Sequence, residues 1–219
     1  MKTIVCYGDS NTWGFVPEAE RPGVTARARY PWGVRWTSIL QEQLGADYRV
    51  AEAGLNGRTT MFDSPMEEHR NGLATIDACM LEQMPVDLAI LMLGTNDLKD
   101  CFCATPYMIA RGAERLIERI RLGGYGPDGA SPEILLVSPI RLNERAAAGW
   151  LREEFTALSL EKDALLGARL ERAARECGVH FLNAGAHITA DPADGVHMNA
   201  AGHAQFAERI LDKVRAILG

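Results

Sequence analysis

Four short stretches of the chain carry the residue types from which an acyl-transfer site can be assembled. They are Gly8-Asp9-Ser10-Asn11, Gly54-Leu55-Asn56-Gly57-Arg58-Thr59-Thr60, Gly94-Thr95-Asn96-Asp97 and Asp194-Gly195-Val196-His197. A serine hydroxyl is a weak nucleophile at neutral pH and needs a base beside it. Histidine, with a free-side-chain pKa of about 6.5, can take that proton and return it. The base in turn needs a carboxylate to fix its tautomer and stabilise the imidazolium. Asp194 stands three residues before His197, close enough to curl back onto the ring within one turn. The oxyanion that develops on the substrate needs preorganised donors. Glycine-flanked turns can present backbone N–H groups, and Asn96 can present a side-chain amide.

Each stretch taken singly has a plainer meaning. Ser10 can simply cap the segment that follows it, and Asn96-Asp97 can close a strand in an Asx-type turn. Asp194 can share a turn with Gly195, His197 can be a structural neighbour of the last helix, and Gly57 can merely supply a positive φ. The joint occurrence is what counts, so the elements around the stretches matter. Five short apolar runs read as buried strands: Thr3 to Tyr7, Tyr48 to Glu52, Leu88 to Leu93, Ile134 to Ser138 and His180 to Asn183. Between them lie segments of helical period: Trp32 to Leu44, Leu73 to Met84 after a cap at Asn71, Pro106 to Leu122 after Thr105, and Leu151 to Cys177 as one helix or two. A last one, Ala200 to Leu218, follows a cap at Asn199. Proline is best tolerated in a first helical turn, and Gly123-Gly124 is a stop signal. Alternating strands and helices predict an α/β, three-layer αβα, flavodoxin-like fold with a five-stranded parallel sheet and helices on both faces. Such sheets put working residues in loops at the carboxyl ends of the strands. All four stretches stand just there.

The bulk of the sequence sets outer bounds. Its 219 residues are 47% hydrophobic and 24% charged, ordinary globular proportions, and we expect a single domain over residues 1–219. A net charge of -6 with acids and bases interspersed speaks against a nucleic-acid partner, which needs concentrated Lys and Arg. Five scattered cysteines, Cys6, Cys79, Cys101, Cys103 and Cys177, do not make a disulfide framework. The Cys101-x-Cys103 pair lacks a second pair or a His-x-x-x-His, so it reads as two reduced thiols and no metal is expected. The opening MKTIVCYGDS has no long apolar stretch with a small-residue cleavage site, and no run approaches a bilayer span. The expectation is a cytoplasmic protein without a membrane partner.

Read together as YGDSNTWG, AGLNGRTT, LGTND and DGVH, the four blocks resemble those of the SGNH (GDSL-type) hydrolase superfamily, over essentially the whole chain. The resemblance implies Ser10 as nucleophile, with Asp194 and His197 completing a triad. It implies an oxyanion hole of the Ser10 and Gly57 N–H groups and the Asn96 side chain; Gly57 is preferred over Gly54 because it directly precedes Arg58-Thr59-Thr60. GDSNTWG followed by GRTT is most similar to the bacterial arylesterase and acyltransferase branch, which includes carbohydrate acetylesterases. That branch implies a small-molecule ester substrate, short acyl groups such as acetyl, transfer to alcohols as well as to water, no metal and no organic cofactor. It also implies a homo-oligomer whose neighbouring subunits help to wall the site.

Other residues keep two readings. Trp13 lines an acyl pocket or packs in the core; Arg58 meets a substrate oxygen or forms a salt bridge; Asp9 organises its turn through its side chain or borders the substrate pocket. His69, His180, His187 and His203 have no partner pattern like that of His197; His180 opens a strand and His203 sits on a helix, and both are taken as structural. Two irregular segments, Val16 to Tyr30 and Pro139 to Trp150, are expected to wall the cleft or a subunit contact, since long loops in compact domains are usually functional or disordered. Thioesterase or lysophospholipase chemistry would use the same residues, although few apolar surface segments suggest a lipid-chain tunnel. The rival of another class is a non-enzymatic small-ligand module on the same architecture. Against it, Gly-x-Gly-x-x-Gly and the Gly-Lys-Ser/Thr phosphate loop are absent after the first strand, and such a module needs neither Ser10 nor Asp194-x-x-His197.

Overall fold

The computed structural model describes residues 1–17 and 28–219. Most of the Val16 to Tyr30 segment therefore lies outside the described residues. Five strands, β1 (Lys2–Gly8), β2 (Tyr48–Gly54), β3 (Leu88–Met92), β4 (Glu133–Val137) and β5 (His180–Leu182), form one sheet in the order β2-β1-β3-β4-β5. Every pairing is parallel. A parallel sheet buries both faces, and alternate strand residues feed two separate cores.

On one face Val5, Tyr7, Ala89, Leu91, Ile134 and Leu136 pack against α3 (Gly72–Gln83), α4 (Pro106–Gly123) and α6 (Ala157–Cys177). On the other, Ile4, Cys6, Ile90, Leu135 and Val137 pack against α2 (Trp36–Leu44) and α7 (Ala200–Leu218), where the Trp36 and Phe206 rings meet edge to face. The layered α/β architecture expected from the sequence is the one observed. The described residues also include two single-turn α-helices, α1 (Ser10–Trp13) and α5 (Arg145–Ala148). Among the described residues no helix is long and apolar enough to cross a membrane.

The helix caps follow side-chain chemistry. Asn71 accepts from the Ala74 N–H, Thr105 from Met108 and Asn199 from Gly202, each satisfying a first-turn donor that the helix leaves open. Two helix starts differ from expectation. The helix expected from Trp32 begins at Trp36, because Gly33 takes φ +84° and Arg35 is extended. The helix expected from Leu151 begins at Ala157, where Thr156 leaves helical geometry and closes a capping box with Ser159.

The strand order reverses between β1 and β3. In open α/β sheets, the crevice beyond the carboxyl ends at such a switch point is where ligands bind. The chain leaves β1 into Asp9 and α1, and leaves β3 into the turn that carries Asn96.

Candidate active site

β1 ends at Gly8, and the next residue makes the turn. The Asp9 carboxylate accepts the Asn11 N–H at 2.9 Å, capping α1 and setting Ser10 as its first residue. Asp9 thus organises the turn, as expected. Gly8 must be glycine for this, since a Cβ there would lie 2.1 Å from Thr12 Oγ1. Trp13 closes the short helix half-buried, with Phe15 6.5 Å away and the Arg29 guanidinium 5.1 Å over its ring. Beside it Phe15 bridges antiparallel to Arg29 of the Val16 to Tyr30 segment, and the Val16 N–H donates to the Ala28 carbonyl at 3.1 Å.

From the far end of the sequence, the loop before α7 brings His197 to Ser10. The Ser10 Oγ and His197 Nε2 are 2.9 Å apart, and His197 Nδ1 is 2.7 Å from Asp194 Oδ2. With Nδ1–H donating to the carboxylate, Nε2 is left as the acceptor for the serine proton. The other Asp194 oxygen accepts the Val196 and His197 N–H groups at 2.8 and 3.0 Å. Burial pushes the Asp194 carboxyl up, but the His197 ring and these backbone bonds outweigh it and hold the group below its ordinary value. Asp194 is an anion ready to stabilise an imidazolium.

Two residues not singled out in the sequence hold this arrangement. Asn11 donates through Nδ2 to the Val196 carbonyl at 3.2 Å and accepts the Met198 N–H through Oδ1 at 2.9 Å. It therefore clamps the backbone on both sides of His197 to the residue after Ser10. Phe15 stacks on the His197 ring, centroids 4.2 Å apart at 26°. The signal for Asn11 was its place beside Ser10; for Phe15 there was none, since the contact spans the whole chain. The Pro139 to Trp150 segment also reaches the base loop. Asn143 N–H donates to the Gly195 carbonyl at 2.9 Å, and a Cβ on Gly195, which has φ +81°, would lie 2.1 Å from Ala146 N.

The candidate oxyanion side comes from the loops after β2 and β3. Asn96 is buried, and its Nδ2 donates to the Arg58 carbonyl at 3.1 Å. Gly57 has φ +78°, and among the described residues neither its N–H nor that of Ser10 has an acceptor. Gly54 serves another purpose: a Cβ there would sit 2.2 Å from Trp13 N, so the residue makes room for α1. Arg58 is turned inward, and its guanidinium faces backbone carbonyls rather than the carboxylate of a salt bridge. Asp97 is fully buried and accepts both the N–H and the hydroxyl of Thr60, tying the two loops together. Burial, opposed by those Thr60 bonds, still pushes the Asp97 carboxyl up to about 6.

The remaining histidines lie elsewhere. His69 and His187 are exposed, and His180 pairs with Glu133 at 3.3 Å. His203 is fully buried and accepts the Trp36 N–H. Cys101 and Cys103 are exposed free thiols, and among the described residues no group of three His, Cys, Asp or Glu side chains can hold a metal ion.

The sequence model of the GDSL-like lipase/acylhydrolase family matches residues 6–205. Among solved structures, the chain is similar to the aryl esterase of M. smegmatis, with 34% identity, a TM-score of 0.91 and full coverage of both chains. It is equally similar to Est24, a carbohydrate acetylesterase from Sinorhizobium meliloti, at 34% identity and a TM-score of 0.91, again over both full chains. A putative arylesterase from Agrobacterium tumefaciens follows at 33% identity and 0.87, also over both full lengths. No curated protein matches in sequence. None of these similarities supports the non-enzymatic binding module.

Proposed function

The chain belongs to the GDSL-like lipase/acylhydrolase family and is an esterase, and on that premise we propose that it cleaves short-acyl carboxylic esters through an acyl-enzyme on Ser10. The observation that carries the reading is the unbroken relay from Ser10 Oγ to His197 Nε2 and from His197 Nδ1 to Asp194, at 2.9 and 2.7 Å. Ser10 Oγ attacks the ester carbonyl while His197 takes its proton and Asp194 stabilises the imidazolium. The Ser10 and Gly57 N–H groups and the Asn96 amide receive the oxyanion. His197 then protonates the departing alcohol, and the alcohol leaves. Water enters, gives its proton to His197 and attacks the acyl carbon; collapse returns the acid and a free Ser10. A second alcohol in place of water completes an acyl transfer.

Similarity to an aryl esterase and to a carbohydrate acetylesterase supports acetyl-like acyl groups on aryl or sugar alcohols. The half-buried Trp13 and Phe15 beside the relay support a short acyl pocket over the long chain that a lysophospholipase takes. Five free cysteines support a reducing compartment such as the cytoplasm. The resemblance to the arylesterase branch supports a homo-oligomer, which light scattering would test.

Ser10→Ala should lower hydrolysis of a short aryl acetate by about a millionfold with the fold intact. Wild-type turnover by this variant would end the reading. An acyl-chain-length series on aryl esters, run beside acetylated sugars, tests the substrate class: rates should fall beyond the shortest acyl groups, and a rise with chain length would contradict the short pocket.

A further inference from the structure

We propose that Arg58 is a positioning residue that holds the three oxyanion donors in one geometry without touching substrate. The proposal rests on the ester-hydrolysis reading above. Arg58 is 7% exposed, and its guanidinium lies 4.0 Å over the Tyr7 ring. From there Nη1 donates to the Gly8 carbonyl at 2.8 Å and to the Ala53 carbonyl, so one group spans the carboxyl ends of β1 and β2. Gly8 stands two residues before Ser10. The main chain of Arg58 does the rest. Its N–H closes the turn onto the Leu55 carbonyl at 3.1 Å, its carbonyl accepts Asn96 Nδ2 at 3.1 Å, and its preceding residue is Gly57.

Each proposed oxyanion donor is therefore one short step from the same residue: Ser10 through Gly8, Gly57 through the peptide bond, Asn96 through the Arg58 carbonyl. A buried cation is costly to hold without compensation, and here carbonyl dipoles and an aromatic face touch the guanidinium, with the Asp9 charge acting on it without a direct ion pair. Burial also pushes the guanidinium pKa down. The Nε atom is buried and has no hydrogen-bond partner among the described residues, so the hydrogen bonds described for the side chain are those of Nη1, beside the ring stack. Lysine can supply a cation to a carbonyl but not the planar stack on Tyr7.

The test uses Arg58→Met and Arg58→Lys on a short aryl acetate. Arg58→Met should lower kcat about a hundredfold, the scale of losing one oxyanion donor. KM should stay within about threefold and the shape of the pH profile should be unchanged, because the base is untouched. Arg58→Lys should fall between that variant and wild type. Asn96→Ala alone should also cost about a hundredfold, yet adding Arg58→Met to it should cost less than about tenfold more, since both act on one geometry. A kcat for Arg58→Met within twofold of wild type, or full multiplication of the two losses, would overturn the positioning role. If the methionine variant does not fold, the lysine variant decides: a reduced kcat at normal KM supports the role, and wild-type kcat overturns it. Ser10→Ala in the same assay separates the two claims. Its loss of activity beside an unimpaired Arg58→Met sinks the positioning role alone, whereas an active Ser10→Ala sinks the ester-hydrolysis reading and this proposal with it.

Discussion

On the side of the site proposed to move protons, side chains touch one another: Ser10 meets His197, and His197 meets Asp194, at 2.9 and 2.7 Å. On the charge-holding side, no such chain exists. Its proposed donors are two main-chain N–H groups and one amide, and a buried arginine, a buried aspartate and a threonine bond to the loops that carry them. The contrast is a matter of what each task needs. Proton transfer needs particular side-chain chemistry at contact distance. Oxyanion binding needs only N–H groups aimed at one point, so the side chains involved act at one remove. Damage to the first side removes a participant; damage to the second misplaces one.

That distinction orders the expected effects. Asp194→Asn keeps the shape of the loop but cannot hold the His197 tautomer, and should cost kcat about ten-thousandfold. A loss below about tenfold would mean that Asp194 only shapes the loop, and would blur the two sides into one. Asn11→Ala is the sharper probe, because Asn11 positions the base rather than moving a proton. Releasing the Val196 and Met198 backbone should cost up to about a hundredfold in kcat, in line with misplacing a catalytic group by about an ångström. A loss as large as that of Asp194→Asn would place Asn11 among the reacting groups instead.

The smallest effect concerns stability. Burial, with lesser contributions from the His197 and Arg35 charges, holds His203 down at about 4. A base with a depressed folded-state pKa contributes stability above its unfolded value that is lost as pH falls toward the folded one. The window is therefore from about 6.5 down to about 4, and its full span is worth about 3 kcal/mol. Asp97 works in the opposite sense. Its carboxyl, raised from 3.8 to about 6, contributes stability at low pH that is lost as pH rises through about 6. His203→Gln should lose up to about 3 kcal/mol less than wild type between pH 6.5 and 4 in urea denaturation. Parallel pH profiles for the two proteins would show that His203 is not held neutral by the fold.

The same contrast explains what could be read in advance. Strand runs such as Leu88 to Leu93 are legible because a strand buried on both faces is a continuous apolar stretch. The caps at Asn71, Thr105 and Asn199 are legible because capping is local chemistry. Ser10, Asp194 and His197 stand out because few residue types can do their work. Arg58 presents the same letters whether it meets a substrate, a carboxylate or two carbonyls, and only the packing beneath Tyr7 decides. The Asp97–Thr60 tie and the Phe15–His197 stack join residues distant in sequence, with no spacing rule to announce them. The start of α2 shifted for a local reason that apolar periodicity does not register, the positive φ of Gly33.

The central claim is that Ser10 forms a covalent bond to the acyl group, and an electrophile that leaves a stable record tests it most directly. Treatment with a fluorophosphonate, followed by peptide mass mapping, should place one adduct on Ser10 and abolish ester hydrolysis in step with labelling. An unlabelled Ser10 in a protein that still hydrolyses aryl acetates, or a loss of activity tracking an adduct on another residue, would contradict the account.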